Sequence, residues 1–279
     1  MNVIDDNSFK ELVYRGYIDR FKEDRLFDID SNIPMMIIKF YLESNTTTKV
    51  SAKVYRNFKA KYIFSENEFE GVPVSKNQVK YLVSNAPSEH TKEEVIGLGD
   101  VYEYINSYSF DNTSNFNIYE LLSIHSILYS HTPYPEYAGR FRTSAARISA
   151  SRVDICDYSE IHFRIREANY EFNEIISISK NIDEYIRRSI RLHSRLIQIH
   201  PFSDGNGRST RALLNLLMKY VGLPPTYVKL GEKDKYFEAL DEAIVDGNTK
   251  KLEQFFLFKI ANAIIENDEE FSKEAIKIL

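Results

Sequence analysis

Apolar side chains return every three or four positions along most of this chain, the spacing that lines one face of an α-helix. In the first sixty or so residues the stripe runs through Leu12, Tyr17 and Phe21 and again through Ile37, Phe40 and Tyr41, with charges between, and predicts a helical N-terminal part. The most apolar early run, Ile33 to Leu42, is broken by Pro34 and Lys39 and has about half the length a bilayer requires, so it reads as a core helix. From Ser65 to Ser75 the sequence SENEFEGVPVS sets Gly71 and Pro73 among acids, the mark of a helix end, a turn and a new N-cap at Ser75. Helices are predicted next over 75–84, 91–107 and 116–130, the last with a broad stripe of Ile118, Leu121, Leu122, Ile124, Ile127 and Leu128. The texture then changes. Between Tyr137 and Ile155 the run YAGRFRTSAARISASRVDI mixes small and β-branched residues and places Arg140, Arg142, Arg147 and Arg152 before any acid, which predicts a short basic β-hairpin or flap. Helical spacing resumes over 158–179 and 183–199, where Pro201 stops it, then over 206–221, ended by Gly222 and Pro224-Pro225. Two further helices are expected near 231–246 and 249–277, the second with a break at Asn267.

Composition narrows the class. A chain of 279 residues that is 43% hydrophobic can bury a real core, and only 10 Gly and 8 Pro favour long helices over many short strands, so a mostly helical chain is expected. Lys and Arg number 36 against 41 acids, a net charge of -5, so no global field draws the chain to nucleic acid or an anionic membrane; any anion site must be local. Cys156 is the single cysteine, which excludes an intrachain disulfide framework and a thiolate zinc cluster, and it reads as an ordinary small buried residue. The acidic start, Met1 to Asp6, lacks the pattern of a secretory signal, and a cytoplasmic setting is expected.

Candidate chemistry is concentrated in twelve residues, HPFSDGNGRSTR, from His200 to Arg211. Gly205 and Gly207 bracket Asn206 where a helix should start, an arrangement that bares backbone N–H groups as an anion nest. Arg208 and Arg211 stand on one face of the first turn, where cations oppose the helix dipole at a cost of roughly 0.3–1 kcal/mol each, so an anion is expected there. The nest, two guanidiniums and the Asn206 amide suit a ligand with more than one phosphate. Asp204 fits beside phosphates once a divalent cation lies between them, which implies Mg²⁺. His200, at the end of the preceding helix, is the only good base in the cluster and can take a proton from an attacking hydroxyl near neutral pH. His193, seven residues earlier, has no carboxylate or third ligand beside it and is read as structural.

At every specified position this segment resembles the active-site motif of the Fic family, H-P-F-x-[D/E]-G-N-G-R-x-x-R. The likeness extends more weakly to Leu192-His193, Ile199, the Gly139 to Arg142 stretch and Tyr236-Phe237 through Leu240, and covers about 70–265. It implies an all-α Fic fold, a helical bundle with a short β-hairpin flap beside the active site. The corresponding division is an N-terminal helical segment at 1–64, a Fic domain at 65–266 and a helical tail at 267–279. The implied activity is transfer of AMP from ATP to a Tyr, Ser or Thr hydroxyl of a protein target, self-modification included given 19 Tyr. Carried over by position, His200, Asn206 and Arg208 would be catalytic, with Phe202 a core anchor and Asp204 the Mg²⁺ ligand. Ser203, Gly205, Asn206 and Gly207 would cradle the nucleotide, Arg208 would meet the γ-phosphate, and Arg211 would support the phosphate site. Tyr236 would border the adenine, and the flap near Arg147 and Ile148 would hold the target by strand addition. Many members carry an inhibitory helix of pattern [S/T]-x-x-x-E-[G/N]. Glu70-Gly71 fits its end, whereas Glu66 stands where Ser or Thr is expected and Ser65 is one place early. On that likeness Glu70 is a regulatory residue acting on ATP through Arg208.

Other readings stay open. The same fold could remove AMP with Glu70 positioning water, or transfer another phosphate-containing group. The nest could also serve a nucleotide-sensing interaction module. No nucleic acid or membrane partner is expected, and the identity of the target and any homo-oligomer are not written in the residues.

Overall fold

The computed structural model describes residues 32–43, 52–83, 93–110, 116–148 and 151–267. Over them the chain forms α1 (Asn32–Glu43), α2 (Ala52–Phe69), α3 (Lys76–Val83), α4 (Glu93–Ser107), α5 (Glu120–Tyr129), α6 (Ile161–Ser177), α7 (Ile182–Ile199), α8 (Asn206–Tyr220), α9 (Lys233–Val245) and α10 (Lys250–Asn267). Short 3₁₀ turns at Tyr158–Glu160 and Leu230–Glu232 lead into α6 and α9. The stripes predicted through Leu12, Tyr17 and Phe21 and beyond Asn267 lie outside the described residues.

Helix α8 is the axis of the bundle. From Arg208 to Met218 every residue is buried, because α7, α5 and α4 pack around it. An element surrounded on all sides has little use for a polar face, so its buried Asn215 spends its amide on the Thr226 backbone, donating to the carbonyl at 2.9 Å and accepting from the N–H at 2.8 Å. Tyr185 of α7 is likewise satisfied inside the core, donating to the Leu217 carbonyl at 2.7 Å. Helices α4 and α5 approach closely where α4 has no side chain: a Cβ on Gly97 would lie 2.1 Å from the Leu128 carbonyl oxygen. Helix α2 lies on α4, and α10 covers α1, α2, α7 and α9. The junction read at Ser65–Ser75 is a helix end at Phe69, a left-handed Gly71 (φ 75°) and a capping box. In that box Ser75 Oγ accepts from the Gln78 N–H while Gln78 Oε1 accepts from the Ser75 N–H.

Two expectations change. The helix predicted from 116 begins only at Glu120: the N–H groups of Glu120, Leu121 and Leu122 bond three residues back, to the carbonyls of Asn117, Ile118 and Tyr119, so the segment before it is a tight turn, held by Asn117 Oδ1 on the Tyr119 N–H and Asn169 Oδ1 on the Ile118 N–H. The predicted β-hairpin flap is not a hairpin: no strand occurs among the described residues. The backbones of its two arms bond at the end of α7, the Arg142 N–H to the Pro201 carbonyl at 2.8 Å and the Cys156 N–H to the Gln198 carbonyl at 3.1 Å. A buried guanidinium does the work of a ladder. Arg142 donates to the carbonyls of His200 (2.7 Å), Ser144 (2.8 Å) and Cys156 (2.6 Å), joining both arms to the helix end.

Candidate active site

Pro201 ends α7, and the chain leaves it through His200 in the left-handed region (φ 49°), the one non-glycine residue with positive φ among those described. A histidine accepts that conformation at a cost of the order of 1–3 kcal/mol, which the surrounding contacts must over-determine. They do: its N–H is held by the Leu196 carbonyl and its own carbonyl by Arg142. The imidazole is partly buried, its Nδ1 has no hydrogen-bond partner, and burial lowers its affinity for a proton, so the ring is a free base at neutral pH.

The loop after it is braced from within. Phe202 is fully buried and stacks on His125 with centroids 3.7 Å apart, the core anchor expected of it. Asn206 accepts from the Phe202 N–H and donates to the Phe202 carbonyl, both at 2.8 Å. The Asn206 amide, expected to face a ligand, instead closes the loop, with Oδ1 and one Nδ2 hydrogen engaged by Phe202. Gly205, at φ 72°, makes the turn into α8, and a Cβ there would lie 2.6 Å from the Tyr129 ring. No side chain caps α8, so the N–H groups of its first turn stay available.

Asp204 projects outward with 76% of its side chain exposed. One oxygen accepts the Gly205 N–H at 2.7 Å. Although partial burial works the other way, the Tyr129 hydroxyl, that N–H and Arg208 hold its carboxyl below the usual range. Ser203 beside it is exposed.

The two arginines are buried and occupied by acids. Arg208 Nη1 donates to Glu94 Oε2 at 2.6 Å, Nη2 reaches the Tyr129 hydroxyl at 3.4 Å, and Nε is buried without a partner. Arg211 Nε donates to Glu66 and Nη2 to Glu70, each at 2.7 Å. Glu70 therefore acts on Arg211, not on Arg208 as expected. Its place directly after α2 decides this, since it follows Glu66 by four residues and both meet the same guanidinium. The Glu70 carboxylate also lies against the first turn of α8, where a Cβ on Gly207 would be 2.7 Å from Oε1. Despite its burial, these two acids hold the Arg211 proton far more tightly than usual.

Tyr236 is not free to border a base. Its ring is enclosed by Phe69, Phe237, Phe255 and Phe256, and its hydroxyl bonds His193 Nε2 at 2.8 Å. It floors Arg211 instead, with the guanidinium 5.8 Å from the ring centroid. His193, buried in that contact, has the structural place read for it. Arg147 is exposed and Ile148 half-buried, on the flap.

His125, which carried no signal in the chain's spacing, ties the site together. Its Nδ1 accepts the Gly139 N–H at 2.9 Å, so Nε2 carries the proton and donates to the Asp204 carbonyl at 3.1 Å. One ring thus links Gly139, in the flap's first arm, to the loop. Burial pushes its pKa down to about 4. Glu94 carries no sharper signal, because with Glu93 it makes an acidic first turn that reads as dipole compensation.

Residues 115–218 match the family model described as Fic/DOC family. A protein adenylyltransferase Fic from Nematostella vectensis is 27% identical over 187 residues, 65% of this chain and 42% of that protein. Protein adenylyltransferase fic-1 from Caenorhabditis elegans is 27% identical over 188 residues, 65% of this chain and 36% of that protein. The chain thus spans less than half the length of these curated relatives. In fold it is similar to a solved Fic-1 fragment from C. elegans, with TM-score 0.69, 19% identity, and 96% and 83% of the two chains covered. A Fic domain containing signaling protein from Bacteroides thetaiotaomicron gives TM-score 0.71 at 17% identity, covering 88% and 97%. These likenesses bear on the all-helical architecture.

Proposed function

We propose, from the premise that this chain belongs to the Fic/DOC family, that it transfers AMP from ATP to a hydroxyl side chain of a protein. The observation that carries the reading is the junction of α7 and α8. A free-base imidazole held in a left-handed turn stands six residues before an uncapped helix start, with two buried arginines behind it. The phosphates would lie over the first-turn N–H groups and meet Arg208 and Arg211. The target hydroxyl oxygen bonds to the α-phosphorus, its proton passes to His200, and the bond from that phosphorus to the bridging oxygen breaks, releasing pyrophosphate in line. Because the ring is neutral near pH 7, it is ready for that proton without first losing one.

Magnesium fits the same place. Among the described residues no three His, Cys, Asp or Glu side chains gather to hold a metal. A cation here would therefore draw most of its ligands from phosphate oxygens and water, as Mg²⁺ does, with the exposed, ionised Asp204 as the protein's contribution. When bound it would neutralise charge on the pyrophosphate group. The partners of this reading are ATP and a hydroxyl-bearing protein in a cytoplasmic setting. No described helix is long and apolar enough to cross a membrane.

Incubation with ATP labelled on the α-phosphate tests it. Label is expected to enter protein, the chain itself included, while γ-label does not. His200→Ala should lower incorporation by about 10³-fold or more, as loss of a positioned base does. Entry of γ-label, or a rate indifferent to His200→Ala, would overturn the reading.

A further inference from the structure

Arg211 is held from two sides by acids that differ in kind. Glu66 is 1% exposed, takes the Nε–H of Arg211 at 2.7 Å on one oxygen and the Val228 N–H at 3.1 Å on the other. Its carboxylate has no route to water and cannot leave without orphaning both donors. Glu70 is 30% exposed, holds a single bond to Nη2, and lies over Gly207, where the first turn of α8 presents its N–H groups. The guanidinium between them is 4% exposed and lies 4.6 Å from the Phe69 ring centroid and 5.8 Å from that of Tyr236, so its plane is fixed as well as its charge. Where the family's inhibitory pattern has Ser or Thr, one turn before Glu70, this chain has Glu66.

We propose that Glu66 is a positioning residue for nucleotide binding: it holds the Nε edge of Arg211 at all times, leaving the Nη edge to take either the Glu70 carboxylate or a phosphate oxygen. The inference rests on the reading that nucleotide phosphates lie at the start of α8. Glu70 is then the exchangeable anion and Glu66 the fixed one. A guanidinium anchored through one edge offers the other without first losing rotamer freedom, which is how pre-organisation gains affinity. The opposing physical possibility has the opposite sign. If Glu66 merely cancelled the charge of Arg211, removing it would strengthen the field at the nest and tighten phosphate binding.

The two are separated in the Glu70→Gly protein, where the exchangeable acid is absent. Calorimetric titration with ADP is expected to show about tenfold weaker binding when Glu66→Gln is added, with Glu66→Asp intermediate. With labelled ATP the same variants should raise KM more than they lower kcat. Should Glu66→Gln fail to fold, Glu66→Asp keeps the charge and carries the comparison. Unchanged or tighter ADP binding in the folded variants overturns the assignment, as does an absence of ADP binding in every protein. If α-label never enters protein while ADP affinity still falls with Glu66, the AMP-transfer reading fails and the positioning role stands.

Discussion

His125 lies flat between Phe202 and Tyr129, with both ring nitrogens committed, one as acceptor from Gly139 and one as donor to Asp204. A second proton would have to replace the Gly139 contact, and burial already sets the pKa at about 4, against about 6.5 for a free histidine. The folded value is the lower one, so the stability this residue contributes is complete above about pH 6.5 and is lost as pH falls toward 4, at most about 3 kcal/mol. Buried His193, at about 3, acts in the same direction. Melting temperature should therefore fall between pH 6.5 and 4.5, and His125→Gln should flatten part of that slope; an equal slope in the variant would contradict the assignment. The chain's spacing exposed His200, Asp204 and the glycines because the types needed for phosphate chemistry stand side by side. It could not expose His125, Glu94 or Glu66, whose roles depend on contacts made across some 79, 114 and 145 positions.

At the level of elements, helices were legible because burial imposes a 3.6-residue rhythm, as on α7, where Tyr185, Ile186, Ser189, Ile190, Leu192 and His193 face inward. The flap was not, because its arms are organised by Arg142, and a guanidinium that ties three carbonyls leaves no periodic trace. Arg142→Ala should cost about 2–4 kcal/mol in chemical denaturation, through carbonyls left unpaired, and should slow AMP transfer by releasing the His200 turn. Arg142→Lys is expected to recover little, since a single ammonium cannot reproduce a planar fork. The end of helix α2 sets Glu70, the next residue, onto Arg211 and Gly207 together. Glu70→Gly should therefore raise α-label incorporation by about tenfold or more, equivalent to at least ~1.4 kcal/mol; an unchanged rate would show that this contact restrains nothing.

Across the whole molecule, the site is placed by how closely the helices around α8 approach one another. The contact of Gly97 with the Leu128 carbonyl sets the α4–α5 spacing, and both Glu94 and Tyr129, which hold Arg208, ride on those two helices. Gly97→Ala puts a methyl where backbone lies at 2.1 Å, so it should destabilise the fold by about 2–4 kcal/mol and loosen Arg208 as well. A melt no lower than that of the parent would deny the contact. On the far side, α10 packs against α1 and α2 at once, although it comes last among the described helices. Because α10 touches α2, which carries Glu66 and ends one residue before Glu70, a displacement of α10 would be felt by the two carboxylates that grip Arg211.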